Sequence, residues 1–258
     1  MIQQGAMSGF TTITYEKHDG VAYIVLNRPE VLNRYNIQMR DELYQVLTAI
    51  RDDAEVLAVV FKGAGERAFC VGADLTEFGT APSPIIARQV RWERDVWGLL
   101  NELKQPLIAA VHGYVFGSGM ELALFCDIRI ASDDAVFGLP EVSLGMIPAA
   151  GGTQMLPRVI GKGRALYLLL TGDRIGAGEA FRMGLVNRVV RREELYSTAD
   201  EVAQMIVSSN PIAVQYAKEA IRLGCDLKLK EGLSLERNLA KIVNTSATNI
   251  ANCIALGN

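Results

Sequence analysis

Histidine and cysteine are scarce in this chain, with two and four copies among 258 residues. Cys70, Cys126, Cys225 and Cys253 lie far apart and never form a C-x-x-C pair, and only His18 and His112 could join them. That supply is too thin and too scattered for a zinc centre, and it suits reduced thiols in a cytoplasmic protein rather than a disulfide framework. Long apolar runs are missing as well. Runs such as Leu107–Val111 and Ala165–Leu170 fall far short of the roughly 18 residues that cross a bilayer. Excess positive charge is also absent: a net charge of −3 gives no general attraction to nucleic acid or to an anionic membrane. The N-terminus has neither the basic and apolar regions of a signal peptide nor the arginine content of a transit peptide. Residues Met1–Gly9 read as a disordered lead-in and are set aside.

Several common catalytic motifs are absent too. Gly117-Ser118-Gly119-Met120-Glu121 is not G-x-G-x-x-G, because Leu122 stands where the last glycine belongs. It is not the G-x-S-x-G elbow of serine hydrolases, since Phe116 and Met120 flank its Gly-Ser-Gly core. No G-x-x-x-x-G-K-[ST] loop occurs. Dinucleotide, serine-hydrolase and P-loop readings therefore lose their main support.

What is present is an ordinary globular composition, 50% hydrophobic and 21% charged, in a chain long enough for a substantial core. Thr11–Glu16 and Val21–Leu26 are β-rich runs around His18-Asp19-Gly20, a hairpin signal. Met39, Leu43, Val46, Leu47 and Ile50 mark one face of a helix. Val56–Phe61, Leu107–His112 and Ile128–Ala131 read as strands buried on both faces. Ile85–Lys104 reads as one helix, with Ile85, Trp92, Val96, Leu99 and Leu103 on its core face and Arg88, Arg91 and Arg94 on a solvated one or, alternatively, in contact with a phosphate. Short helices punctuated by Gly161, Gly172, Gly176 and Gly184 follow, then longer ones over Glu193–Ser208 and Pro211–Leu223. Asn210-Pro211 is a helix start, a capping residue followed by a proline where no amide is needed. The pattern is one α/β core with a helical tail and no linker between them.

Two segments run from a strand through a glycine into a predicted helix: Phe69-Cys70-Val71-Gly72-Ala73-Asp74-Leu75, and Val115-Phe116-Gly117-Ser118-Gly119-Met120-Glu121-Leu122. A helix start presents unpaired N–H groups and a positive dipole end, so two of them converging would cradle a developing anion. Either loop alone is simply a tight turn.

Taken with their neighbours, these segments resemble the crotonase family of enoyl-CoA hydratases and isomerases. Asn27-Arg28-Pro29-Glu30-Val31-Leu32-Asn33 is similar to its opening signature. Ala68–Leu75 resembles its first oxyanion loop, and His112–Leu122 followed by Cys126-Asp127-Ile128-Arg129-Ile130-Ala131 resembles its second. Phe137-Gly138-Leu139-Pro140-Glu141, Gly151-Gly152-Thr153-Gln154, Leu170-Thr171-Gly172 and Gly184-Leu185-Val186-Asn187 continue the likeness, which runs from about Ile13 to Lys218.

The resemblance implies an α/β fold: a crotonase-like spiral of ββα units over residues 10–191, with a helical C-terminal trimerisation region over residues 192–258 of the same unit. It implies a homotrimer or dimer of trimers acting on acyl-CoA, with coenzyme A entering as part of the substrate and no separate cofactor. It puts the oxyanion donors at the backbone N–H groups of Ala73 and Ser118, where the family usually has glycine at the second position. Val31, Leu32 and the strip Ala73, Asp74, Leu75 and Thr76 would contact the coenzyme. Glu121 and Glu141 stand where hydratases of the family carry their acid–base pair. Hydration of a conjugated thioester needs a base for water and an acid for Cα, which two carboxyls can share if one stays protonated.

Other residues have plainer expectations. His112 and Asp127 read as structural. Trp92 is a core residue, or alternatively a wall of the acyl pocket. The tail Ser246–Asn258 has no lysine, arginine or aromatic residue with which to contact the coenzyme of a neighbouring subunit, which leaves Lys218 and Lys241 as the nearest basic alternatives. The resulting expectation is a hydratase. Its rivals are an enoyl-CoA isomerase, a hydratase of an alicyclic enoyl- or dienoyl-CoA, and a non-catalytic binding protein with a decayed site.

Overall fold

The computed structural model describes residues 9–245; the lead-in up to residue 8, the tail Ser246–Asn258 and the expectations that fall on them lie outside the described residues. Strands β1 (Ile13–His18) and β2 (Val21–Leu26) form the expected hairpin. His18 pairs with Val21, which leaves a two-residue turn, and Asp19 and Gly20 both take positive φ as such a turn requires. Helix α1 (Ile37–Asp52) starts where the Asn36 side chain accepts the Met39 N–H, and it buries the predicted face, Met39, Leu43, Val46, Leu47 and Ile50.

The chain then winds as a spiral between two sheets. Strands β3 (Ala58–Gly63), β5 (Leu107–Val111) and β7 (Ile128–Ser132) join the larger sheet, each followed by a short strand of the smaller one: β4 (Ala68–Cys70), β6 (Tyr114–Phe116) and β8 (Val136–Gly138). The larger sheet has the order β1-β2-β3-β5-β7-β10, ending at β10 (Arg188–Val190); the smaller is β4-β6-β8-β9, ending at β9 (Arg174–Gly176). Past the β1–β2 hairpin the pairing in the larger sheet is parallel, and in the smaller sheet only β8–β9 is antiparallel. Three residues are too few to show a period of two, so β8 and β9 escape sequence reading, while β4 and β6 are the strands expected before Gly72 and Gly117.

The continuous apolar strands arise because the larger sheet is covered on both faces. Ala22, Ile24, Val59, Phe61, Ala109 and Val111 face the interior with α1. The alternate residues Val21, Tyr23, Val60, Ile108, Ala110 and Ile130 meet Leu195, Ala199, Val202 and Ala203 of helix α8 (Leu195–Val207).

Two expectations are corrected. The single helix over Ile85–Lys104 is two: α2 (Pro84–Glu93) and α3 (Val96–Glu102). Asp95 breaks the run by accepting the Gly98 N–H (3.0 Å) and capping α3. The break shifts the register, so Val96, Leu99 and Leu103 are buried while Ile85 and Trp92 are 78% and 72% exposed. The segment after Gly72 is also no true helix: Asp74 accepts the Thr76 N–H, and the chain makes one 3-10 turn over Leu75–Glu77.

The remaining helices are α4 (Ser118–Phe125), α5 (Gly152–Ile160), α6 (Lys162–Thr171), α7 (Ala177–Met183), α9 (Pro211–Gly224) and α10 (Leu229–Thr245). The Asn210 side chain caps α9 by accepting the Ala213 N–H (3.1 Å). Helices α9 and α10 pack on each other and bury little besides Leu239. No helix among the described residues is long and apolar enough to cross a membrane.

Candidate active site

Two glycine turns meet at the centre of the spiral. Gly72 follows β4 at φ +100°, and Gly117 follows β6 at φ +50°, conformations that favour glycine. Gly117 is also sterically confined, because a Cβ there would lie 3.2 Å from Gly72 Cα and 3.1 Å from Glu141 Oε1. The Gly72 turn is pinned on its other side by Tyr35, whose N–H donates to Gly72 O (2.9 Å) and whose carbonyl accepts the Asp74 N–H (2.8 Å). Ala73, between them, donates its N–H to no protein group among the described residues, and neither does Ser118 at the first position of α4. The positive φ falls on Gly117 and not on Ser118, so a serine there needs no strained backbone.

Both residues line a cleft of about 790 Å³ that also touches Ala150. Below it, Glu121 is 2% exposed in α4. Its Oε1 accepts the N–H groups of Ala150 (2.8 Å) and Gly152 (2.9 Å) at the start of α5. Burial pushes the Glu121 carboxyl upward, while those two N–H groups and the Arg91 charge pull it back. Glu141 sits in the 3-10 turn Pro140–Leu144. Its Oε2 is buried with no hydrogen-bond partner among the described residues. Burial chiefly, with the nearby Glu121 charge in support, pushes it up to about 7 against the pull of its own backbone N–H. One carboxyl thus has two backbone amides from another element, and the other, among the described residues, has only its own, with Oε2 unpartnered.

The remaining expected site residues divide. Asp74 lines the cleft and accepts from Arg28 Nη1 (3.1 Å) and the Thr76 hydroxyl (2.8 Å). Val31, Leu32, Leu75 and Thr76 do not line it; Leu32 supports the Gly72 turn by accepting the Val71 N–H (3.3 Å). Trp92 is absent from the cleft walls and stands exposed beneath the Arg88 guanidinium. The indole in the cleft is Trp97, packed at a tilt between Tyr35 and Phe125 at 5.6 and 5.8 Å. The Asp95 cap was the signal that could have found it. Arg88, Arg91 and Arg94, expected on a solvated face, line the cleft together with Arg40.

Lys218 is engaged inside the protein with Asp127 (2.8 Å) and Gln105 O (2.9 Å), so it is not available to a coenzyme. Asp127 also accepts the Leu107 N–H (2.7 Å), and His112 is fully buried at the end of β5; both fill structural roles. Sequence reading missed Tyr35, Ala150 and Asn33. Asn33 is fully buried and fastens the opening loop to Ala64 O and Ala68 O (2.9 Å each).

A spiral of ββα turns that brings two amide-bearing loops beside the buried Glu121 and the half-buried Glu141 defines an acyl-thioester enzyme of the crotonase type. The enoyl-CoA hydratase/isomerase family model matches residues 16–250, and the chain belongs to that family. A short-chain-enoyl-CoA hydratase of Clostridium acetobutylicum is 43% identical over 224 residues, 87% of this chain and 86% of that protein. A crotonyl-CoA hydratase of Syntrophomonas wolfei is 40% identical over 228 residues, 88% and 87% of the two chains. The crystal structure of an enoyl-CoA hydratase from Bacillus anthracis superposes with a TM-score of 0.90 at 40% identity, covering 96% of each chain.

Proposed function

We propose that this protein is an enoyl-CoA hydratase in which Glu121 is the base and Glu141 the acid. The observation that carries the assignment is the unequal treatment of the two carboxyls. Glu121 accepts two backbone N–H groups that favour its ionised form, while Glu141 has none aimed at its buried oxygen and is raised to about 7. The thioester oxygen accepts the N–H groups of Ala73 and Ser118. Glu121 removes a proton from water as its oxygen bonds to Cβ, negative charge gathers on the thioester oxygen, and Glu141 delivers a proton to Cα. Removal of water is the same path reversed. The scheme needs no resident metal or redox cofactor, since coenzyme A arrives with the acyl group.

The opening signature at Val31 and Leu32 and the strip Ala73–Thr76 would follow the pantetheine arm. Exposed apolar side chains on the outer helices, among them Leu170, Phe181, Ile221 and Leu229, support assembly as a trimer or dimer of trimers in the cytoplasm.

Purified protein mixed with crotonyl-CoA should remove the conjugated absorbance, and the product should gain the mass of one water. An unchanged mass with a moved double bond would make it an isomerase, and no reaction with any 2-enoyl-CoA would overturn the reading.

A further inference from the structure

The walls of the cleft carry more positive charge than the proposed reaction uses. Arg40, Arg88, Arg91 and Arg94 line it, against the carboxylates of Asp74 and Glu77. Asp74 is already held by Arg28 (3.1 Å), and Glu77 accepts the Ile37 N–H (2.8 Å). Arg40 and Arg94 share the single carboxylate of Asp41, at 2.8 and 3.0 Å. Arg91 makes no hydrogen bond or ion pair among the described residues, yet its charge acts on both Glu121 and Tyr35. Tyr35 also lines the cleft, and its buried hydroxyl has no partner among the described residues. An apolar acyl chain would leave that hydroxyl without a partner.

We infer that the acyl group carries a carboxylate, received by the free guanidinium of Arg91 and the unpartnered hydroxyl of Tyr35, with Arg40 and Arg94 adding to the positive field. The inference rests on the hydratase reading of the same cleft. A guanidinium beside a carboxylate makes a charge-assisted, two-pronged contact, and the tyrosine hydroxyl supplies a third donor. The coenzyme phosphates do not fit this place. Tyr35 brackets Ala73 through its backbone, which puts it at the reacting end of the cleft that Arg91 also lines. The phosphates are separated from the thioester by the full length of the pantetheine arm. Trp97, which lines the cleft with its ring 5.6 Å from Tyr35, gives the carbon chain an apolar wall on the way.

The test compares two thioesters of equal shape, pent-2-enedioyl-CoA with a terminal carboxylate and 5-methylhex-2-enoyl-CoA with an isopropyl group in its place. Hydration should favour the carboxylated ester in kcat/KM by about tenfold or more. Arg91→Met should lower that ratio by about tenfold, and Tyr35→Phe should lower it less, both because a contact is lost from one ester only. Arg91 lies on the exposed side of α2 and Tyr35→Phe removes one atom, so both variants should fold. Equal use of the two esters by the unaltered protein, or a ratio unmoved in Arg91→Met, overturns the inference while leaving the hydratase reading intact. Failure to hydrate either ester or crotonyl-CoA removes both.

Discussion

At the scale of single residues the chemistry turns on how Glu121 and Glu141 are solvated. Glu141 has to carry its proton to deliver it, and its carboxyl is raised from 4.5 to about 7. Hydration turnover should therefore fall as pH rises through about 7, along a limb that belongs to the coupled pair. Glu141→Gln and Glu121→Gln should each reduce turnover by about 10²-fold or more while coenzyme binding stays near normal, and Glu141→Gln should also abolish the alkaline limb. Steady-state kinetics across pH 5–9 would show this; wild-type rates in either variant would rule out a two-carboxyl mechanism. The linkage to stability has the same sign. A carboxyl raised in the folded state favours folding below about pH 4.5, and that contribution is lost as pH climbs through about 7.

Ser118 is the second residue-scale case. It begins α4 with an ordinary φ and lines the cleft, and the proposed scheme uses its backbone N–H. Ser118→Ala and Ser118→Gly should then keep turnover within about tenfold. Ser118→Pro removes the amide hydrogen, worth about 3 kcal/mol of transition-state stabilisation, and should abolish activity. Circular dichroism would establish that the proline variant still folds. A loss of about 10³-fold in the alanine variant would instead show that the hydroxyl acts directly.

At the scale of elements, the site is an intersection. Helix α4 brings Glu121 and Ser118, the 3-10 turn after β8 brings Glu141, and the start of α5 solvates Glu121. Close contact between the β4 and β6 turns sets the distance between the two amides. Gly119 enforces that contact, because a Cβ there would collide with the Cys70 carbonyl oxygen. Gly119→Ala must push α4 away from β4, and overpacking of this kind costs about 1–3 kcal/mol. Turnover should drop about 10²-fold or more together with a lowered Tm; a variant with normal kinetics and normal melting would show that the two turns are not rigidly coupled.

At the scale of the whole molecule, the described chain covers one face of its larger sheet with α8 and then extends α9 and α10 outward with little buried between them and the core. Ile221 (69% exposed), Leu229 (79%) and Leu170 (72%) are large apolar side chains that a lone chain would leave in water. Light scattering at micromolar concentration should therefore report a trimer or a hexamer, and a clean monomer would count decisively against the assembly. Charge at this scale gives no comparable pull, since a net −3 over 258 residues is close to balanced.

By itself the sequence determined the parts whose signals are local. The hairpin at Asp19-Gly20, the face of α1, the doubly buried strands and the cap at Asn210 each follow from spacing or turn chemistry within a few residues. So did the candidacy of Ala73, Ser118, Glu121 and Glu141, which sit in ordered blocks that resemble one family. Only the tertiary structure decided what those residues are near. Asp95 breaks a predicted helix, which turns Trp92 out to solvent and puts Trp97 in the cleft. Arg91 is exposed, as a solvated face implies, and it also lines the same cleft as Tyr35, more than fifty positions earlier in the chain. The division between the two carboxyls was equally out of reach from sequence, because it depends on the amides of Ala150 and Gly152 arriving beside Glu121 and on no group arriving beside the buried oxygen of Glu141. Local periodicity records which side of an element is apolar, whereas desolvation and charge depend on groups brought in by other turns of the spiral.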